Sequence, residues 1–341
     1  MTRTALVTGS SGFIGYHLCR RLLADGFRVV GFDAMTPYYD VTLKQRRRAM
    51  LLQTPGFSDN QALLEEPGRL MAVIAAEKPD VIVHLAAQAG VRYSIDAPRS
   101  YVNSNIIGTF EVLEAARAHK PAHLLIASTS SAYGANTAMP YVETDRADHQ
   151  MSFYAATKKA TEAMAHSYAH LYAIPTTMFR FFTVYGPWGR PDMAPIKFTK
   201  LILAGEPIDI YNHGDMRRDF TYIDDLVEAI RRLIEVAPMQ RDAVPAGDSL
   251  SPVAPFRIVN IGNGAPVALM DFIAALERAL GVTAQKRFLP MQPGDVPATW
   301  ADTSLLHKLV GLLPQTDIHA GVAAFVHWYR SHYTAQPASG N

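Results

Sequence analysis

Tyr154 and Lys158 stand four positions apart in Tyr154-Ala155-Ala156-Thr157-Lys158, where a stretch with helical spacing begins. On a helix, residues i and i+4 share a face. An ammonium beside a phenol stabilises the phenolate and draws its pKa down from about 10, which makes tyrosine a usable base near neutral pH. The same pair on an exposed helix is an ordinary solvated contact. What sets this one apart is Thr129-Ser130-Ser131, a hydroxyl cluster directly after the apolar run 124–128. Open parallel sheets bind ligands at the carboxyl ends of their strands, where such a cluster would lie.

A second constellation lies at the start of the chain. Thr8-Gly9-Ser10-Ser11-Gly12-Phe13-Ile14-Gly15 follows a short apolar run and opens a helical one. Glycine lets the backbone turn tightly and approach a pyrophosphate, whose charge is stabilised at a helix N-terminus. Asp33 stands 18 positions beyond Gly15, at the end of the next strand-like run. A carboxylate there accepts from the adenosine ribose hydroxyls and repels a 2′-phosphate, and no arginine follows directly. The expected cofactor is NAD rather than NADP. The plainer alternative for Asp33, a turn cap, agrees less well with the glycine context and the offset.

These residues need a scaffold of alternating strands and helices. The runs 4–8, 28–32, 81–85, 124–128 and 176–182 are strand-like, and 14–25, 106–119 and 160–172 are helical. That alternation predicts an α/β fold: a Rossmann-like, doubly wound parallel sheet covered on both faces. Beyond residue 184 proline and glycine become frequent and the pattern loosens. The expected organisation is a cofactor-binding domain over 1–183 that also carries the catalytic residues. A smaller C-terminal substrate lobe over 184–335 follows, with some crossing of the chain between the two, and then a tail over 336–341. The segment 237–255 reads as a surface loop or a partly disordered segment.

Composition narrows the remaining classes. The 341 residues are 49% apolar and 18% charged with a net charge of +1, an ordinary globular balance with no bulk pull toward nucleic acid or membrane. The basic run 44–48 reads as a solvated helix face. One cysteine, Cys19, excludes an intrachain disulfide and reads as a buried structural thiol. His84 reads as structural, and the 12 histidines form no ligand set, so no metal is expected. With no leader-like or membrane-length apolar run, a cytoplasmic location is expected.

Together, the glycine turn, Asp33, the hydroxyl cluster before Tyr133-Gly134 and the Tyr154/Lys158 pair resemble the extended short-chain dehydrogenase/reductase family. The resemblance implies that Thr129 hydrogen-bonds a reacting sugar hydroxyl, that Tyr154 takes its proton and that Lys158 holds the nicotinamide ribose. It further implies that Leu85, Ala86, Ala87 and Asn105 line the cofactor cleft. Family members generally contact adenine with an aspartate after the third strand. Here the weakly strand-like 58–66 offers Asp59, Glu65 and Glu66, with the choice open.

Within that family, four stretches resemble the UDP-glucuronate 4-epimerases: 87–94 with Arg92, 180–193 with Thr183 and Arg190, 218–222 with Arg218, and 291–296 with Asp295. Thr183 and Gln292 stand where the related UDP-galactose enzymes carry Asn and Arg. The resemblance implies NAD-dependent interconversion of UDP-glucuronate and UDP-galacturonate through a 4-keto intermediate, in a homodimer built on the helices 106–119 and 154–172. UDP-glucose epimerisation and UDP-glucuronate decarboxylation are the nearest alternatives. Arg218 suits a diphosphate, since guanidinium binds phosphate bidentately. An ion pair with Asp215 or Asp219 is its plainer reading. Asp295 suits the uridine ribose. Thr129, Ser130, Ser131 and Thr183, with Arg190, are the candidates to grip a C6 carboxylate.

Overall fold

A computed structural model of the chain describes residues 2–292 and 295–333. The expected tail, 336–341, lies outside the described residues, as do Pro293 and Gly294 of the 291–296 stretch.

Seven strands form one sheet in the spatial order Phe256–Ile261, Thr176–Phe181, His123–Ala127, Val81–His84, Thr4–Thr8, Arg28–Asp33 and Phe57–Gln61. Every neighbouring pair is parallel. The runs Ala5–Val7, Val81–Val83 and Leu124–Ile126 are wholly buried. That is why they read as continuous apolar segments: a parallel sheet is covered by helices on both faces. The order reverses between Thr4–Thr8 and Val81–His84, and a crevice opens beyond the carboxyl ends at such a switch point.

The seventh strand, Phe256–Ile261, comes from the C-terminal half and pairs with Thr176–Phe181. The chain therefore returns to the main sheet after leaving it near residue 184. The smaller lobe is built from Thr183–Tyr185, Arg217–Tyr222, Pro266–Ala268 and Ala298–Thr299, with a second pair from Ile208–Ile210 and Lys286–Phe288. Helix Leu269–Leu280 packs on it with an apolar face, while helix Ile223–Leu233 lays its apolar face chiefly against the helix Phe13–Ala24. The segment 237–255 holds no strand or helix. Its second half is pinned all the same: Asp248 pairs with Arg257 at 2.9 Å, both nearly buried, and His166 bonds Ser251.

Candidate active site

The glycine turn has no room for side chains. A Cβ on Gly9, whose φ is +72°, would lie 2.9 Å from the Ala86 backbone nitrogen, and one on Gly15 would lie 2.0 Å from the Gly9 carbonyl oxygen. The helix Phe13–Ala24 follows with no side-chain cap and no acidic residue in its first turn. Its free amides are thus left for an anion. Asp33, at the end of its strand, accepts from the Ser11 amide at 3.0 Å and the Met35 amide at 2.8 Å. Each carboxylate oxygen keeps a lone pair for a ribose hydroxyl. One cleft is lined by Gly9, Gly12, Phe13, Ile14, Gly15, Asp33, Leu85, Ala86 and Ala87. A cramped glycine turn, an uncapped helix end and a ribose-facing carboxylate fit NAD.

Asn105 is not among the lining residues. It is buried, and its side chain joins Gln88 to Thr157 through bonds of 2.8 Å, 3.1 Å and 3.0 Å. It holds the loop after Val81–His84 against the helix Phe153–Tyr172, while the adjacent Ser104 lines the cleft.

Thr129, Tyr154 and Lys158 line the same cleft. Ser152 caps the helix that carries Tyr154 and Lys158, accepting from the Ala155 amide at 3.1 Å. Thr129, two residues past the strand His123–Ala127, is extended and accepts from the Ser131 amide at 3.2 Å. Burial raises the Tyr154 phenol above its ordinary value; a hydrogen bond with Thr129 and the charge of Arg190 act the other way. Burial pulls the Lys158 ammonium down to about 8, against the charge of Glu162. The expectation of a lowered phenol is thereby corrected: desolvating a phenolate outweighs the Thr129 hydrogen bond and the Arg190 charge.

Behind this wall lies a buried ion pair. Arg180 donates from Nε to Glu162 Oε1 at 2.9 Å and from Nη2 to Oε2 at 2.8 Å. Ser128 donates to the same carboxylate at 2.7 Å and Lys159 at 3.2 Å. Burial alone would raise the Glu162 carboxyl, but Arg180 outweighs it and holds the group below the usual carboxylate range. The pair thus joins the strand Thr176–Phe181 to the helix one turn beyond Lys158, and Ser128 ties in the segment just before Thr129. His84 is likewise structural. Thr8 Oγ1 lies 2.7 Å from its Nδ1 and Thr109 Oγ1 3.1 Å from its Nε2, and burial, then the Lys158 charge, lowers it to about 3.

The proposed substrate contacts separate into three groups. Arg190 lines the cleft, where it donates to both oxygens of Asp192 at 3.1 Å and 2.5 Å. Burial would lower its pKa, but Asp192 raises it above the ordinary value, so the guanidinium is firmly charged. Ser130, Ser131 and Thr183 do not line the cleft, although Ser128, Phe182 and Val184 do. Arg218 and Asp295 stand apart in the smaller lobe, and Arg92, beyond the strand Val81–His84, reaches across to them. Arg92 donates to Asp295 at 3.3 Å, and Arg218 donates to the Arg217 and Pro297 carbonyls while feeling the Asp295 charge. Asp219 is not the partner of Arg218, because its carboxylate accepts from the Asn263, Gly264 and Ala301 amides.

Of the three acidic residues offered for adenine, Glu65 lines the cleft. Asp59 is bound to Arg48 at 2.6 Å and nearly buried. The basic run 44–48 is corrected. Lys44 and Arg47 are buried, Lys44 with its ammonium 2.9 Å from the Thr36 carbonyl. A signal existed: Leu43, Arg47 and Leu51 recur every four residues, the core-facing stripe of the helix Thr42–Leu52. Tyr38, Tyr39 and Lys44, which also line the cleft, were not singled out by motif.

Comparison with known proteins agrees with this geometry. Residues 5–244 match the model of the NAD dependent epimerase/dehydratase family. A probable UDP-glucuronate 4-epimerase of Rhizobium meliloti is 56% identical over 331 residues, covering 96% of this chain and 97% of the relative. The Bacillus cereus UDP-glucuronic acid 4-epimerase, solved with UDP-glucuronic acid and NAD, is 33% identical with a TM-score of 0.85, covering 96% of this chain and 99% of that one. A UDP-glucose 4-epimerase from Thermotoga maritima, solved with UDP-glucose, is 25% identical with a TM-score of 0.84, covering 97% and 99%. The chain belongs to the NAD dependent epimerase/dehydratase family.

Proposed function

We propose that the chain is an isomerase, an NAD-dependent 4-epimerase that interconverts UDP-glucuronate and UDP-galacturonate. The observation that carries this reading is the meeting of Thr129, Tyr154 and Lys158 with the glycine turn and Arg190 around one cleft. The Rhizobium relative and the Bacillus enzyme carry that same activity in their names.

When bound, NAD supplies a reversible acceptor for the hydrogen on C4. Tyr154 removes the proton of the C4 hydroxyl, and Thr129 orients that hydroxyl by hydrogen bonding. Lys158 keeps positive charge beside the phenolate and holds the ribose. The 4-keto sugar then turns about its diphosphate linkage so that the other face of C4 meets the cofactor and takes the hydride back there, and Tyr154 gives the proton back to the C4 oxygen. Arg190, its charge shared with Asp192, holds the C6 carboxylate without giving it a full counter-charge. Thr129 is the cleft-lining member of the hydroxyl set, and Ser130, Ser131 and Thr183 are partly exposed outside that lining. Arg218 takes the diphosphate and Asp295 the uridine ribose, with Arg92 moving between Asp295 and the ligand. Asp33 takes the adenosine ribose and Glu65 the adenine. Residues 1–183 and the returning strand act as the cofactor domain, and the rest as the substrate lobe.

The working unit is a homodimer in the cytoplasm. Ile107, Phe110, Phe153 and Leu171, on or beside the two helices expected at the interface, are between 40% and 64% exposed, which supports an apolar partner there. Among the described residues no helix is long and apolar enough to cross a membrane. The test is incubation of purified protein and NAD with UDP-glucuronate, UDP-galacturonate or UDP-glucose, with products resolved by NMR. Turnover of UDP-glucose alone, or release of a UDP-pentose in place of the epimer, would overturn the assignment.

A further inference from the structure

Arg47 is completely buried, and among the described residues no carboxylate pairs with it. Its guanidinium spans two segments far apart in sequence. Nη1 donates to the Ser11 carbonyl at 3.1 Å and reaches the Tyr39 hydroxyl at 3.5 Å. Nη2 donates to the carbonyls of Trp188 at 2.5 Å and Gly189 at 3.1 Å. Ser11 belongs to the glycine turn, and its amide is held by Asp33. Trp188 has a left-handed backbone, φ +61°, which a bulky residue adopts only when its surroundings hold it there. Two positions later stands Arg190, and Met193 just beyond also lines the cleft.

A buried cation held by three carbonyls and a hydroxyl, with Asp33 acting on it only through its charge, is electrostatically incomplete, since buried charges are normally paired. Burial accordingly lowers the Arg47 pKa. A cofactor diphosphate at the turn would bring negative charge to the segment that Arg47 already grips. In a low-dielectric interior, that charge favours the charged form of the guanidinium, the form in which it donates to the carbonyls of both segments.

We propose that Arg47 is a positioning residue that ties the dinucleotide turn to the 186–193 loop, so that cofactor binding at the turn sets the placement of Arg190. The proposal rests on the reading that this cleft holds NAD. It makes the substrate loop responsive to cofactor loading through one shared side chain rather than through ligand contact alone.

Backbone amide exchange tests this directly, on wild type, Arg47→Lys and Arg47→Met, each without and with saturating NAD. In wild type, NAD slows exchange in both 9–15 and 186–193. In Arg47→Met the slowing in 186–193 falls by about tenfold, within the usual range of coupling between sites, while 9–15 is still protected. Arg47→Lys keeps the charge but loses the two-sided fork, and retains only part of the effect. Should Arg47→Met fail to fold, Arg47→Lys carries the comparison. Equal slowing of 186–193 by NAD in wild type and the folded variants overturns the proposal. So does faster exchange of that loop by the same factor with and without NAD, which marks a merely structural arginine. If NAD leaves even 9–15 of wild type unprotected, the cofactor reading itself fails, and the two failures are distinct.

Discussion

Replacing Glu162 by glutamine probes the wall behind Tyr154 and Lys158 without changing its shape. The Glu162 carboxylate accepts four bonds, two from Arg180 and one each from Ser128 and Lys159, and both members of its ion pair are almost wholly buried. Glutamine keeps one acceptor oxygen but turns an NH₂ group toward donors, leaving Arg180 charged and underpaired. Breaking a buried pair from one side costs about 3–5 kcal/mol. For 341 residues the unfolding entropy is about 0.7 kcal/mol/K, so the melting temperature should fall by about 4–7 °C. The loss depends on pH. The Glu162 carboxyl is held below its ordinary value, so its stabilisation is fully present above the unfolded pKa of about 4.3 and disappears as pH falls through the lowered folded value. The gap between wild type and variant should therefore be complete at pH 7 and narrow below about pH 4. Activity should report the same charge. Burial brings Lys158 to about 8 and Glu162 props it up, so losing Glu162 lowers it further. The alkaline limb of kcat then moves to lower pH, because the ammonium is lost sooner. Calorimetry and a pH–rate profile measure both effects. An unchanged melting temperature at pH 7 would refute the stabilising role of the pair, and an alkaline limb that stays in place would refute its coupling to Lys158.

Tyr154→Phe should reduce turnover at least about a hundredfold, the scale of a positioned proton-transfer group, with UDP-sugar affinity little changed by calorimetric titration; near-normal turnover would remove the proposed base. Gly15→Ala places a Cβ 2.0 Å from the Gly9 carbonyl oxygen, so the turn must open. NAD retained after purification should fall sharply in that variant, as measured by release of the nucleotide on acid denaturation, and full retention would contradict the packing argument. Asp33→Ser with a basic neighbour should let NADP bind, read by titration of both cofactors, whereas equal use of both by wild type would mean Asp33 does not read the ribose. Phe110→Glu puts a charge on an exposed apolar position of the helix Gly108–His119, and light scattering should then give a monomer if that face joins two copies.

The cofactor half of the molecule was legible in the chain because its signals are local. A glycine turn between a strand and a helix, an aspartate one strand later, and a Tyr–Lys pair on one helical turn are fixed by backbone geometry over short spans. The alternation of apolar runs likewise determined the parallel sheet, since strands buried on both faces cannot read any other way. Three matters were decided only by the folded molecule. The strand Phe256–Ile261 joins the sheet through a partner about eighty residues earlier, and no local pattern names that partner. Thr183, Ser130 and Ser131 carry suitable hydroxyls, yet which hydroxyls face the cleft depends on how the small lobe sits over the sheet, and only Thr129 of that set does. Arg47 read as solvated because charge usually seeks water. It is buried because carbonyls from two distant loops converge on one point of the helix Thr42–Leu52, a convergence that exists only once the loops are folded together.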